Sequence, residues 1–242
     1  MGYRDSFYKN YYRTQGSQYD SASLPEKIAA SQKNYKHEVV TFIPAKDSKI
    51  LELGCGYGPL LLLLRDLGYS NASGIDVSPE QVSLAKEQGL DNVQLGSAEE
   101  HLSNSNEKYD VIIGVDLIEH FTKDELVSLL ELIKNSLNPN GVVLFRTPNC
   151  DGLFGSTYAY GDFTHEIYLN YQSAQQLMLS AGFSEVEVNA SHIEVAGFFK
   201  NLIRKLLWLE VVVASRLILF ASGKSSRNVL YTPNLVIKAV SA

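Results

Sequence analysis

Between residues 49 and 195, short runs of strand-forming residues alternate with segments of helical periodicity, and that alternation leaves few folds open. A strand that returns through a helix lies parallel to its predecessor, so a layered α/β fold with a mostly parallel sheet is expected. Strands are read at 49–55, 72–77, 92–96, 109–115, 142–147 and 184–190, with a last one at 228–240. The helices between them carry their own punctuation. Pro59 opens and Gly68 ends the first crossover helix. Ser78-Pro79-Glu80-Gln81 offers an N-cap, a proline at the first helical position and a capping-box partner, with Gly89 to finish. Thr122-Lys123-Asp124-Glu125 repeats the capping box. Leu126, Leu129, Leu130, Ile133 and Leu137 follow at helical spacing, and Asn138-Pro139-Asn140-Gly141 closes the element.

Two stretches stand outside the alternation. Residues 1–48 are rich in tyrosine and are expected to form a helical lid over a domain spanning 49–242; a helical insertion at about 197–226 separates the last two strands. A chain of 242 residues supports one such core. Its formal charge of −6 argues against a nucleic-acid binder, which needs a basic surface. Two cysteines, Cys55 and Cys150, make no disulfide framework, and Met1-Gly2-Tyr3-Arg4-Asp5 is unlike a signal peptide, so a cytoplasmic setting is expected.

The most informative segment is Lys49-Ile50-Leu51-Glu52-Leu53-Gly54-Cys55-Gly56-Tyr57-Gly58-Pro59, a buried-type strand, a glycine turn and a helix start. Such a turn lets a ligand press against backbone. Pro59 stands where a dinucleotide fingerprint needs its third glycine, and no lysine follows at P-loop spacing, so both of those readings fail. Asp76 ends the second strand. In an open parallel sheet, ligands bind beyond the carboxyl ends of the strands, so the turn and this acid face one crevice. A carboxylate there can accept from both hydroxyls of a ribose. The third strand runs into Gly96-Ser97-Ala98, small enough for an adenine ring to approach, and the fourth into Val115-Asp116-Leu117-Ile118-Glu119-His120.

In this order and at this spacing, the elements resemble the motifs of class I S-adenosylmethionine-dependent methyltransferases. The likeness covers residues 49–150, and Thr147-Pro148-Asn149 with Asp162-Phe163-Thr164-His165 extends it to about 185. The branch most resembled contains ubiquinone-type O-methyltransferases and bacterial polysaccharide (O-antigen-like) or lipid-linked sugar methyltransferases. The resemblance implies a three-layer Rossmann-like fold whose seven-stranded sheet has its last strand antiparallel. It also implies that Gly54, Cys55 and Gly56 wrap the methionine part of S-adenosylmethionine while Glu52 supports the turn. Asp76 would then hold the ribose, Val77 the adenine face, Ser97 and Ala98 the adenine edge, and Val115 and Asp116 the floor near the methyl. The family often has aspartate where this chain has Ser97. The Asp/Asn-Pro-Pro-Tyr signature of nucleic-acid methyltransferases is missing after the fourth strand. The expected reaction is O-methylation of a carbohydrate hydroxyl; the alternatives are a quinone-like or other phenolic small molecule, or a cofactor-binding protein without catalysis.

A hydroxyl acceptor has to lose its proton, which suits a histidine. His165 and His120 follow strands at the crevice and are the candidate bases; His37 and His101 read as surface or helix positions and His192 as a strand residue. Asp116-x-x-Glu119-His120 also resembles a cluster that some ubiquinone-type members use for a divalent cation such as magnesium or zinc. Three residues on one turn serve structure as readily, and the site is read without a metal. Cys55 has no basic neighbour to activate it and contributes backbone.

Residues 198–220 are apolar, with Lys200, Arg204 and Lys205 clustered and Glu210, Ser215 and Arg216 interrupting. Those interruptions argue against a spanning helix. A pair of amphipathic helices on a membrane surface, with Trp208 at headgroup depth, is one expectation; packing against the domain or a partner subunit is the other.

Overall fold

The computed structural model describes residues 3–8, 11, 23–195 and 197–241. Its seven strands are β1 (Ile50–Leu53), β2 (Ala72–Asp76), β3 (Val93–Leu95), β4 (Tyr109–Val115), β5 (Leu137–Pro148), β6 (Phe183–Ala190) and β7 (Asn234–Ser241). They form one sheet in the order β3-β2-β1-β4-β5-β7-β6. Pairing from β3 through β5 is parallel, and β7 is antiparallel to both β5 and β6. Every strand but β7 therefore ends at one edge of the sheet. This is the expected three-layer architecture with its reversed last strand.

Strand alternation sorts the core into two layers. Ile50, Val111, Ile113, Val142 and Leu144 point to the face covered by α2 (Leu24–Glu38) and α3 (Pro59–Asp66), through Tyr35, Val39, Leu60 and Leu64. Leu51, Leu53, Ile112, Val143 and Phe145 point to the other, under α5 (Ala98–Asn104), α6 (Lys123–Ser136) and α8 (Tyr171–Ser180). Leu126, Leu129, Leu130 and Ile133 on α6 are all buried as their spacing requires. Burying each is worth about 1.5–3 kcal/mol. The Thr122–Glu125 capping box forms in both directions.

Five details depart from the sequence reading. At α4 (Pro79–Glu87), Ser78 caps Gln81, but the Ser78 N–H is already taken by the Asp76 carboxylate at 2.8 Å, so Gln81 does not complete a box. β5 is longer than expected: Leu137 pairs with Tyr109 directly after α6, with left-handed Asn140 (φ +61°) inside a bulge. β7 starts at Asn234, and His192 lies just beyond β6 rather than in it. The insertion is one continuous helix, α9 (Phe198–Ala221), not a pair. Neither Glu210 nor Arg216 breaks a helix, and the Ser215 hydroxyl is absorbed by the Val211 carbonyl. No residue of α9 is buried, and Trp208 lies on its half-buried stripe facing the protein. The remaining α-helices among the described residues are α1 (Tyr3–Tyr8) and the short α7 (Gly155–Ala159).

Candidate active site

A cavity of about 830 Å³ opens at the edge where β1 to β4 end. Every residue expected to hold the cofactor (Glu52, Gly54, Cys55, Gly56, Asp76, Val77, Ser97, Ala98, Val115 and Asp116) lies in its wall. The turn after β1 has positive φ at Gly54, Gly56 and Gly58. At Gly58 (φ +81°) the backbone conformation favours glycine, and an added Cβ would also run into the Leu90 side chain.

Asp76 fixes the shape of the turn. Its two oxygens accept the backbone N–H groups of Gly56, at 2.7 Å, and of Ser78, at 2.8 Å. Burial pushes its carboxyl up from the ordinary range while those two donors pull it down. Glu52 is 3% exposed, its Oε2 has no hydrogen-bond partner among the described residues, and burial followed by the Asp76 charge holds it well above the usual carboxylate range. The Cys55 thiol is likewise pushed up by burial, so it is no nucleophile. Ser97 spends its hydroxyl on the Glu100 N–H as the N-cap of α5. Val77, 46% exposed, is an apolar face turned toward the opening.

At the floor, Asp116 adopts a left-handed conformation (φ +49°) and accepts from Arg146 Nη1 at 2.6 Å. Arg146 Nε stands 3.1 Å from Glu38 Oε2, a charge contact off the line of a hydrogen bond. Arg146 ties the floor to α2, which in turn holds the His192 N–H through Glu38 Oε1. Sequence reasoning missed Arg146. The signal was a cation at an interior position of an otherwise apolar strand, which needs buried anions nearby.

Of the two candidate bases, His120 lines the cavity and His165 does not. Their rings meet edge to face, centroids 4.8 Å apart. Thr164 Oγ1 donates its one proton to Asp162 Oδ1, 2.7 Å away, so at 2.9 Å it accepts from His120 Nδ1–H. That leaves the lone pair on His120 Nε2. His165 Nδ1 donates to the Ala159 carbonyl at 2.7 Å, which orients that ring. Burial, and then the neighbouring His165, depress His120 to about 4, so it is neutral at physiological pH. Asp162 is held below its usual range, although burial opposes this, by hydrogen bonds from Tyr11 and Thr164.

The N-terminal segment adds to this wall through Arg4, Tyr8 and Tyr11. Tyr11 donates to Asp162 Oδ2 at 2.6 Å, Phe7 stacks on Phe163, and Arg4 pairs with Glu125 at 2.7 Å, which drops that carboxyl to about 2.

The Asp116, Glu119 and His120 set does not gather, because Asp116 turns to Arg146. Glu119, His120 and His165 do converge, with donor atoms within 4.8 Å of one another, and Glu119 Oε1 has no hydrogen-bond partner among the described residues. These three could hold a divalent cation that would acidify an acceptor hydroxyl. Burial and the Asp116 charge hold the Glu119 carboxyl well above its normal range, so a cation would have to displace its proton.

Comparison with known proteins agrees with the fold. The family described as "Methyltransferase domain" matches residues 28–188. A ubiquinone biosynthesis O-methyltransferase of Hydrogenovibrio crunogenus is 31% identical over 113 residues, 45% of this chain and 46% of that protein. A ribosomal protein L11 methyltransferase of Lactobacillus johnsonii is 34% identical over 104 residues, 41% of this chain and 31% of that protein. The chain thus spans about half or less of the curated relatives it matches. Among solved structures, a SAM dependent methyltransferase from Archaeoglobus fulgidus superimposes with a TM-score of 0.67 at 17% identity, over 99% of this chain and 100% of that one. Magnesium protoporphyrin IX methyltransferase from Synechocystis with bound SAH gives 0.59 at 14% identity, over 99% and 98%. At such identities the likeness is one of fold.

Proposed function

The chain belongs to the methyltransferase domain family, and on that footing we propose that it transfers the methyl group of S-adenosylmethionine to a hydroxyl of a phenolic or quinone-like small molecule. The cavity wall carries the reading. Glu52 is a buried carboxyl whose Oε2 has no partner among the described residues, and it lies beside Asp76 and the glycine turn. A cationic amino acid joined to adenosine answers each feature. Its ammonium suits Glu52, its ribose Asp76, and its adenine the gap between Val77 and Ala98. Curated relatives named ubiquinone biosynthesis O-methyltransferase favour a quinone-like acceptor, as do the rings of Tyr8, Tyr11, Tyr57 and Phe121 in the wall. The carbohydrate acceptor expected from the sequence has no such support and yields to this alternative.

When bound, S-adenosylmethionine supplies a methyl on positively charged sulfur. The chain has to align the acceptor oxygen behind that methyl and take its proton. His120 does the second, receiving the hydroxyl proton at Nε2 while Asp162, through Thr164, holds Nδ1–H and the ring. Thr164 is a positioning residue, and so is His165. Arg4, Tyr8 and Tyr11 act as a lid that keeps water out.

Calorimetry with S-adenosylmethionine and S-adenosylhomocysteine tests the cofactor half, with micromolar binding expected. Isotope transfer from labelled cofactor into lipid and aqueous extracts, with the product identified by mass spectrometry, tests the other. Absence of binding would remove the assignment. Label on a sugar would return the acceptor to carbohydrate, and binding without any transfer would leave a cofactor-binding protein.

A further inference from the structure

Helix α9 leaves most of its large apolar side chains outside the domain it packs on. Its half-buried stripe, Asn201, Arg204, Trp208, Val211, Val212, Ser215 and Leu219, turns to the protein and mixes polar with apolar residues. Arg204 and Trp208 share a groove there with His37, Asn189 and Thr232. The outward side presents Phe199, Leu202, Leu206, Leu209, Leu217 and Phe220, from 46% to 80% exposed. A contiguous apolar face of this size marks a contact surface.

We propose that this face docks α9 in the plane of an anionic lipid bilayer. Charge selects the occupant. The helix holds Lys200, Arg204, Lys205 and Arg216 against Glu210 alone, and Lys224 and Arg227 follow it, in a chain whose net charge is −6. A second copy of the same helix would meet like charges; an anionic surface meets opposite ones. The helix lies on the bilayer instead of crossing it, since no helix among the described residues is long and apolar enough to cross. The topology orients the domain. β6 runs with β5 and β7 runs against both, so α9 leaves and re-enters at the edge of the sheet where the cavity opens. Docking therefore turns the cavity's side of the protein toward the membrane. This deepens the proposed function by naming a lipid surface as the place of acceptor delivery, but it stands on α9 alone.

Flotation of the full chain with phosphatidylcholine vesicles, with and without about one third phosphatidylglycerol, tests it. Co-flotation is expected with the anionic vesicles and at least about tenfold less with the neutral ones. Reversing Lys200 and Lys205 to Glu should lower anionic binding by about tenfold or more. Leu206→Glu with Leu217→Glu should abolish it, and Glu210→Gln should strengthen it. Both glutamate variants substitute exposed positions, and unchanged calorimetric affinity for S-adenosylhomocysteine checks their fold. Failure of the wild-type chain to float with anionic vesicles overturns the proposal. So does a dimer in solution that Leu206→Glu dissociates, because the face would then belong to a second copy. Neither result touches the cofactor reading, whose failure shows in calorimetry without vesicles.

Discussion

Asp76→Asn is the substitution that bears most directly on the site. The carboxylate accepts one backbone N–H on each oxygen, from Gly56 at 2.7 Å and Ser78 at 2.8 Å, and has lone pairs left for two ribose hydroxyls. Asparagine keeps the shape but offers one accepting oxygen, and it turns an N–H group on one donor it formerly satisfied. Losing one hydrogen bond to a charged acceptor costs about 1.5–3 kcal/mol. Applied to the ribose, that weakens S-adenosylhomocysteine binding roughly 10- to 150-fold. Applied to the turn, it removes about 1–3 kcal/mol of folding stability, because Gly56 or Ser78 loses its acceptor. Titration calorimetry reads the first and urea unfolding the second. Ser97→Ala, which removes a neutral cap, is expected to change affinity far less. A folded Asp76→Asn protein that binds S-adenosylhomocysteine as tightly as the wild type would refute the role given to Asp76.

His120→Gln should lower methyl transfer by roughly 100- to 10,000-fold and leave S-adenosylhomocysteine affinity within about twofold; full turnover would transfer the proton to another group. The same residue sets a pH signature. Folded His120 stays neutral down to about 4, whereas an unfolded imidazole takes a proton near 6.5. The unfolded chain therefore binds more protons between those values, and stability falls as pH falls through that window. From pH 7 to 5 the wild type should lose roughly 2 kcal/mol more than His120→Gln in urea unfolding; parallel pH dependence would show that the ring is not held neutral. Arg146→Met strands Glu38, which is 3% exposed, and is expected to cost about 3–5 kcal/mol, with unchanged stability contradicting the buried ion network.

Local signals in the sequence carried most of the architecture. Ser78, Thr122, Pro59 and the apolar run of α6 act within a few residues, so their consequences are readable from neighbours alone. The turn after β1 and Asp76 were legible for the same reason, since each sits at the end of a strand whose direction the alternation fixes. The contacts that shape the rest of the cavity span more than a hundred residues, as between Arg4 and Glu125 or Tyr11 and Asp162. Periodicity contains no trace of them. The choice between two histidines belongs to this second kind. Both follow strands, and the carbonyl of Ala159 and the hydroxyl of Thr164 set their different orientations.

One carboxylate serves two masters. Asp162 uses Oδ2 to hold Tyr11 and Oδ1 to hold the hydroxyl that steadies His120. Lifting the N-terminal segment to admit an acceptor would strip a donor from Asp162, let water compete for the vacated oxygen and loosen the ring's tether. On the proposed function, entry would thereby be coupled to readiness: His120, the proposed proton acceptor, would be best aimed when the door behind the acceptor has shut.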